Sequence, residues 1–273
     1  MELKEFLAAD GWIPSLPEGV VPILAELRKD EPDLRRINRL LAAELGLTVR
    51  ILRLANSARY SAGGPGIGSI EAATAMLGLQ ATQQLVQAAA VSAVFRQVQG
   101  VNLTEFWRYS LNVAKLAQSL AEEVRLDKGT AFTAGLLHGA GDLILKMVMP
   151  GRASLQADFP TDEDRFAKQI AELGYAYPEV GAAFAARWQF PAPLVDAIRR
   201  QCEPEHSGNS NTLASVLFLA CWSARAHDMD MEGTVLHDVP QDVADSIGVA
   251  DAGRLRQDDA IAWTPIEEAR EFA

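Results

Sequence analysis

The chain has 273 residues, 49% of them hydrophobic, and a formal net charge of -11. That length supports one large domain or two ordinary ones, with enough apolar residues to fill a core. No apolar run approaches the ~18 residues of a membrane-spanning helix, and the start, MELKEFLAADGW, lacks the basic region and apolar block of a secretory signal. The two cysteines, Cys202 and Cys221, form neither a CxxC pair nor a disulfide framework, which fits a reducing cytoplasm. From Asp228 onward there are twelve Asp/Glu, three Arg and no Lys, so this segment carries nine of the eleven net negative charges. Such a segment disfavours non-specific nucleic-acid binding. By composition alone it reads as a solvated extension.

Leu3, Phe6 and Leu7 mark a short first helix, broken by Gly11 to Gly19 with Pro14 and Pro17. Val20 to Arg28 resumes helical spacing, with Pro22 tolerated in the first turn. Asp33 is placed to cap a helix burying Leu34, Ile37, Leu41 and Leu45. Thr48 is placed to cap the next, with Ile51, Leu52, Leu54 and Ala55 inward and its end near Asn56-Ser57. Ser61 to Gly68 is an irregular loop. Ser69 opens a helix, with Glu71 in its first turn, that ends at Leu77-Gly78. Ala81 to Phe95 forms another, and Leu103 to Val124 a longer one with Phe106, Trp107, Leu111, Ala114, Leu116, Ala117 and Leu120.

Ala134 to Leu145 reads as an apolar helix carrying a single histidine, His138. Thr161 with Asp164 starts a charged amphipathic helix to Leu173. Pro178 sits in the first turn of a helix running to Trp188, and Pro191 and Pro193 open one that reaches Gln201. His206 to Asn211 is a polar loop, and Leu213 to Ala226 is apolar enough to be buried. The stretch LHDVPQDVADSIGVA reads as one more amphipathic helix, capped by Asp238 or a neighbour. No segment alternates with period two over β-branched residues, so the expected fold is all-α. The break at Gln97 to Gly100 suggests two packed helical lobes, 1–100 and 101–226, followed by an acidic tail, 227–273, with a short helix.

Most single motifs have plain structural explanations. The GGPGIG loop lacks the GK[ST] ending of a phosphate-binding loop and does not follow a strand, so it reads as a tight connection between helices. Arg35, Arg36, Arg39, Arg50, Arg53 and Arg59 make a locally basic region that could meet nucleic acid. Glu26, Asp30, Glu31, Asp33 and Glu44 are interleaved with them, which favours a salt-paired, solvated face. Ser57 and Ser110 have no His/Asp partner nearby in sequence. His206, His227 and His237 lie in polar stretches without HxxxH or HExxH spacing and read as surface residues. His138 is either a metal ligand or a core histidine satisfied by its neighbours, and the choice rests on whether other ligands complete a site.

Three blocks taken together resemble the HDOD domain, a bacterial signalling domain related to HD phosphohydrolases. LPEGVVPILAEL with LRLANSARYSAGGPGIGSIEAATAMLGL is similar to its N-terminal half. FWRYSLNVAKLAQSLAEE with AFTAGLLHGAGDLIL is similar to its HD-like half, and YAYPEVGAAFAARWQFP with LVDAIRRQCEP to its closing part. In active HD hydrolases, histidines and aspartates hold one or two metals that activate water against a phosphoester. Carried over by position, Tyr109 stands where the first His belongs. The His-Asp pair reads His138-Gly139. Tyr177 stands where a His often precedes the VGA segment. Gln201-Cys202 replaces a His-His pair, and Cys221 falls where the late Asp belongs.

One histidine of the set survives, and a lone imidazole cannot hold a hydrolytic metal. Cys202 and Cys221 with His138 would be a soft three-ligand zinc site, for which the spacing gives no support. The resemblance therefore implies no catalytic residue, no metal and no cofactor. It implies a cytoplasmic, non-catalytic scaffold that binds a partner protein or a small signalling ligand. The expected surface lies between the lobes near Asn56, Ser57 and Tyr60, although Asn56 and Ser57 read equally well as helix-end caps. Two alternatives stand beside it: a metal-dependent HD-type phosphohydrolase with a rearranged site, and a nucleic-acid-binding regulator. With few residues after the core, a stand-alone domain is expected.

Overall fold

The computed structural model describes residues 3, 19–27, 29, 31–60, 66–152, 155, 164–204, 212–231 and 239–273. The fold is all-α, and no strand occurs among the described residues. The helices in chain order are α1 (Val20–Leu27), α2 (Leu34–Ala43), α3 (Leu45–Tyr60), α4 (Ile70–Val94), α5 (Leu103–Glu123), α6 (Lys128–Leu137) and α7 (Ala140–Val148). They continue as α8 (Arg165–Leu173), α9 (Tyr177–Arg187), α10 (Ala192–Arg200), α11 (Thr212–Met231), α12 (Gln241–Ser246) and α13 (Ile266–Ala269), with a 3-10 turn at Gly253–Arg256. None among the described residues is long and apolar enough to cross a membrane. Of the expected first helix only Leu3 is described. The Gly11 to Gly19 breaker except Gly19, the His206 to Asn211 loop, Thr161, His237 and Asp238 lie outside the described residues.

The chain divides into two compact units, one built on Gln97–Thr264 and the other on described residues of 19–96 together with Pro265–Ala273. The second unit is organised by helical periodicity. Val20, Ile23, Leu24 and Leu27 form one stripe of α1, which joins Ile37 and Leu41 of α2 and Ile51 and Ala55 of α3 in a common core. Asp33 caps α2, its side chain accepting from Arg35 N at 2.9 Å and Arg36 N at 3.3 Å. Buried Glu26 accepts from Lys29 Nζ at 2.7 Å and Asp33 N at 3.2 Å, and pairs with Arg36 Nε at 3.2 Å. Arg53 pairs with Glu271 at 3.3 Å. The side chains of Arg50 and Arg59 lie outside the described residues.

Two expected boundaries move. Only Glu44 separates α2 from α3, so Thr48 lies inside α3 rather than at its cap, and its hydroxyl donates to Leu41 O at 2.5 Å. The helices expected on either side of Leu77-Gly78 form one element, α4, kinked at Gly78 with φ 77° and ψ 171°. That conformation is open to glycine because it has no Cβ.

In the unit built on Gln97–Thr264, α5 is buried on nearly all sides. Close approach to α6 depends on Gly135, where a Cβ would stand 2.6 Å from Ala114 Cα. Arg108 ties α5 to α11 through two 2.8 Å bonds to the Asp228 carboxylate, while its Nε donates to Glu105 at 2.7 Å. This bidentate geometry is the strong form of a charge-assisted pair. The acidic C-terminal segment contributes to both units. Thr264 N donates to buried Asn112 Oδ1 at 2.8 Å, Lys115 Nζ donates to Ala262 O at 2.8 Å, and Phe272 is buried.

The apolar run Ala134 to Leu145 is two helices, not one. α6 ends at Leu137 and α7 starts at Ala140, with Gly139 at φ -93° and ψ -2° between them. Glycines at 139 and 141 weaken a continuous helix. Gly139 O then accepts the amides of Asp142 and Leu143 at 3.0 and 3.4 Å to start the new one. His138 is therefore held at a joint.

Candidate functional site

The joint faces a cavity of about 250 Å³ inside this unit. Tyr109 reaches it from α5, His138 from the α6–α7 joint, Arg165 and Phe166 from α8, and Tyr177 from the start of α9. Gln201 and Cys202 follow α10, and Phe218, Cys221, Trp222 and Arg225 come from α11. The structure thus collects Tyr109, His138, Tyr177, Gln201, Cys202 and Cys221 around one space. Gly139 stands beside them as the cap of α7.

Each polar group is positioned by a specific bond. His138 Nδ1 lies 2.6 Å from Gly135 O. A carbonyl only accepts, so Nδ1 carries the proton and Nε2 holds the lone pair. Gln201 Nε2 donates to His138 O at 3.0 Å and to Ile198 O at 2.9 Å, locking the joint to α10. Tyr109 Oη donates to Cys221 O at 2.8 Å, and Tyr177 Oη lies 3.1 Å from Cys202 Sγ. The Arg165 guanidinium sits 4.4 Å from the centroid of the Tyr177 ring. Behind it, buried Asp142 accepts from Gln169 Nε2 at 2.9 Å and lies 3.6 Å from Lys146 Nζ, and Gln169 Oε1 accepts Tyr177 N at 2.8 Å.

Burial decides the charge of the lining. It pulls the His138 imidazolium down to about 4, against the Gly135 carbonyl and with help from Arg165. It pushes the Cys202 thiol up to about 11 and raises Cys221 further, the latter with help from Cys202. It also holds the Tyr109 and Tyr177 phenols well above their ordinary range. Arg165 keeps its proton: burial opposes the charge, and Tyr177 and Asp142 outweigh it. At neutral pH the described lining therefore carries two guanidinium charges, from Arg165 and Arg225, and no carboxylate.

The depressed His138 value has a measurable consequence. The unfolded imidazole takes up a proton near its ordinary 6.5, the folded one only near 4. Stability is thus unaffected by this group above pH 6.5 and falls as pH drops from 6.5 towards 4. Between pH 7 and pH 5 His138 alone removes about 2 kcal/mol. Urea unfolding at both pH values should show a loss smaller by that amount in His138→Gln. Equal losses in the two proteins would assign the effect to other groups.

Other sequence candidates lie elsewhere. Asn56, on α3, donates from Nδ2 to Leu52 O at 2.7 Å and Ile67 O at 2.9 Å, and its Oδ1 accepts Ile67 N at 2.7 Å. Its amide thus ties Ile67 to α3. Ser57 and Tyr60 belong to the α3 backbone, and their side chains lie outside the described residues. His227, expected at the surface, is largely covered, stacked on Trp263 at 3.6 Å between ring centroids with Nδ1 3.0 Å from Arg256 O. Among the described residues no group of three or more His, Cys, Asp or Glu side chains is arranged to hold a metal ion.

Arg165, Phe166, Phe218, Trp222 and Arg225 were not singled out by sequence. Arg225 had a signal, because it is the only charge in Leu213 to Ala226. Arg165 had none. The model of the HDOD domain matches residues 13–204. A Shewanella amazonensis crystal structure, named as a candidate phosphohydrolase, is 26% identical with a TM-score of 0.77, covering 98% of this chain and 100% of that one. A candidate signal transduction protein from Marinobacter aquaeolei is 22% identical with a TM-score of 0.74, covering 100% of this chain and 60% of that one. An uncharacterised Treponema pallidum protein is 24% identical over 193 residues, 68% of this chain. The chain spans 37% of the length of that relative.

Proposed function

The chain belongs to the HDOD domain family, and from that premise we propose that it is a signalling domain which recognises a partner protein or a small signalling ligand and catalyses nothing. The observation that carries the reading is the lining of the 250 Å³ cavity. HD hydrolases hold a metal with histidines and carboxylates. The residues here do not fit such an ion. One neutral imidazole, two protonated thiols and two phenols supply no carboxylate charge, and two guanidiniums repel a divalent cation. The position that would complete a His-Asp pair is Gly139, which has no side chain to offer. The name of the Marinobacter neighbour supports a signalling role, and that of the Shewanella neighbour supports an origin shared with phosphohydrolases.

A turnover assay tests this reading. The purified chain, supplied with manganese, should leave bis-p-nitrophenyl phosphate at the background rate of hydrolysis. Turnover above background that disappears in His138→Ala would overturn it.

A further inference from the structure

We propose that the cavity between α5, α8, α9 and α11 is an anion site that takes a small phosphate monoester with an aromatic body. The inference rests on the recognition reading above and adds the class of what is recognised. The first support is charge. Arg165 and Arg225 both line the cavity, and no Asp or Glu does so among the described residues. Buried Asp142, behind the lining, faces both Arg165 and Lys146, the latter at 3.6 Å, so one carboxylate is shared by two cations. Two guanidiniums match the double charge of a phosphate monoester better than the single charge of a carboxylate, and their planar forks suit phosphate oxygens.

The second support is shape and surface. Tyr109, Tyr177, Phe218 and Trp222 give the space aromatic walls on which a planar ring can lie. Its 250 Å³ sits below the ~300–1,000 Å³ of pockets for drug-sized ligands, so the body must be small.

Calorimetric titration of the full chain at low salt tests the proposal with five pure compounds: phenyl phosphate, 5′-AMP, the neutral phenol and adenosine, and benzoate. At least one monoester should bind, and its neutral counterpart should bind at least about tenfold more weakly. Affinity should fall with added salt. Arg225→Gln should weaken monoester binding at least about tenfold, and Arg225→Lys by less. Arg225 is half-buried, so its replacement leaves the core in place, whereas Arg165→Gln is read only if its circular dichroism matches the parent. Binding of neither monoester, equal binding of the neutral compounds, an unchanged Arg225→Gln, or tighter binding of benzoate than of phenyl phosphate would each overturn the proposal. A monoester that binds and is then hydrolysed sinks the non-catalytic reading and leaves the anion site standing. A chain that neither binds nor hydrolyses does the reverse.

Discussion

Gly141→Ala should destabilise the protein by about 3 kcal/mol or more, at the upper end of what overpacking costs. The added Cβ would fall on the Tyr177 carbonyl and stand 2.6 Å from Gly181 N. Both are backbone atoms of α9, so no side chain can rotate away, and α7 and α9 must separate. The alanine gains about 1 kcal/mol of helix propensity, which is too little to offset that. Gly129→Ala in α6 is the control. Its Cβ would have Asp127 Oδ1, at 3.5 Å, as nearest neighbour, and the same propensity gain should leave stability equal or raised. Chemical denaturation of both variants checks the pair. Similar midpoints for the two would mean that α7 and α9 do not pack at Gly141.

The second large effect is expected at Asp142, whose side chain is 1% exposed beside a Lys146 side chain that is 7% exposed. Asp142→Ala removes the acceptor of Gln169 and leaves Lys146 and Arg165 without the carboxylate that each faces. Breaking a buried pair by removing one partner costs about 3–5 kcal/mol. The loss should propagate, because Gln169 also accepts the amide of Tyr177 and so sets the start of α9. Asp142→Leu combined with Lys146→Met should lose less than the sum of the single changes, since it removes both charges together. Additive losses in that cycle would mean that the two groups are not coupled.

Much of the fold was legible because helices announce their ends. Asp33 and Ser69 cap the helices they were expected to cap, and Pro178 and Pro191 stand at the starts of α9 and α10. The break at His138-Gly139 was only partly legible, because Gly139 and Gly141 weaken a continuous helix while apolar periodicity continues straight through them, and packing against α9 decides where the chain turns. The site was legible in part. The positions that the family resemblance marks as altered lie around or beside one cavity, whereas the two arginines that give it charge belong to no motif.

The helix α8 explains why. Its sequence reads as a charged amphipathic helix, and nothing in that pattern distinguishes an arginine on the solvent face from one that is buried. In the structure Arg165 and Gln169, one turn apart, are buried, while Ile170 is 38% exposed. A polar interior of that kind follows from partners supplied by α7 and α9, which no local window contains.

A cavity lined by two guanidiniums, with no carboxylate among its described lining residues, should reject divalent cations, and metal content measures that. The full chain, dialysed against manganese, iron or zinc and then against metal-free buffer, should retain far less than one equivalent of any of them by elemental analysis. A stoichiometric ion that survives the second dialysis and is lost in His138→Ala would contradict the account.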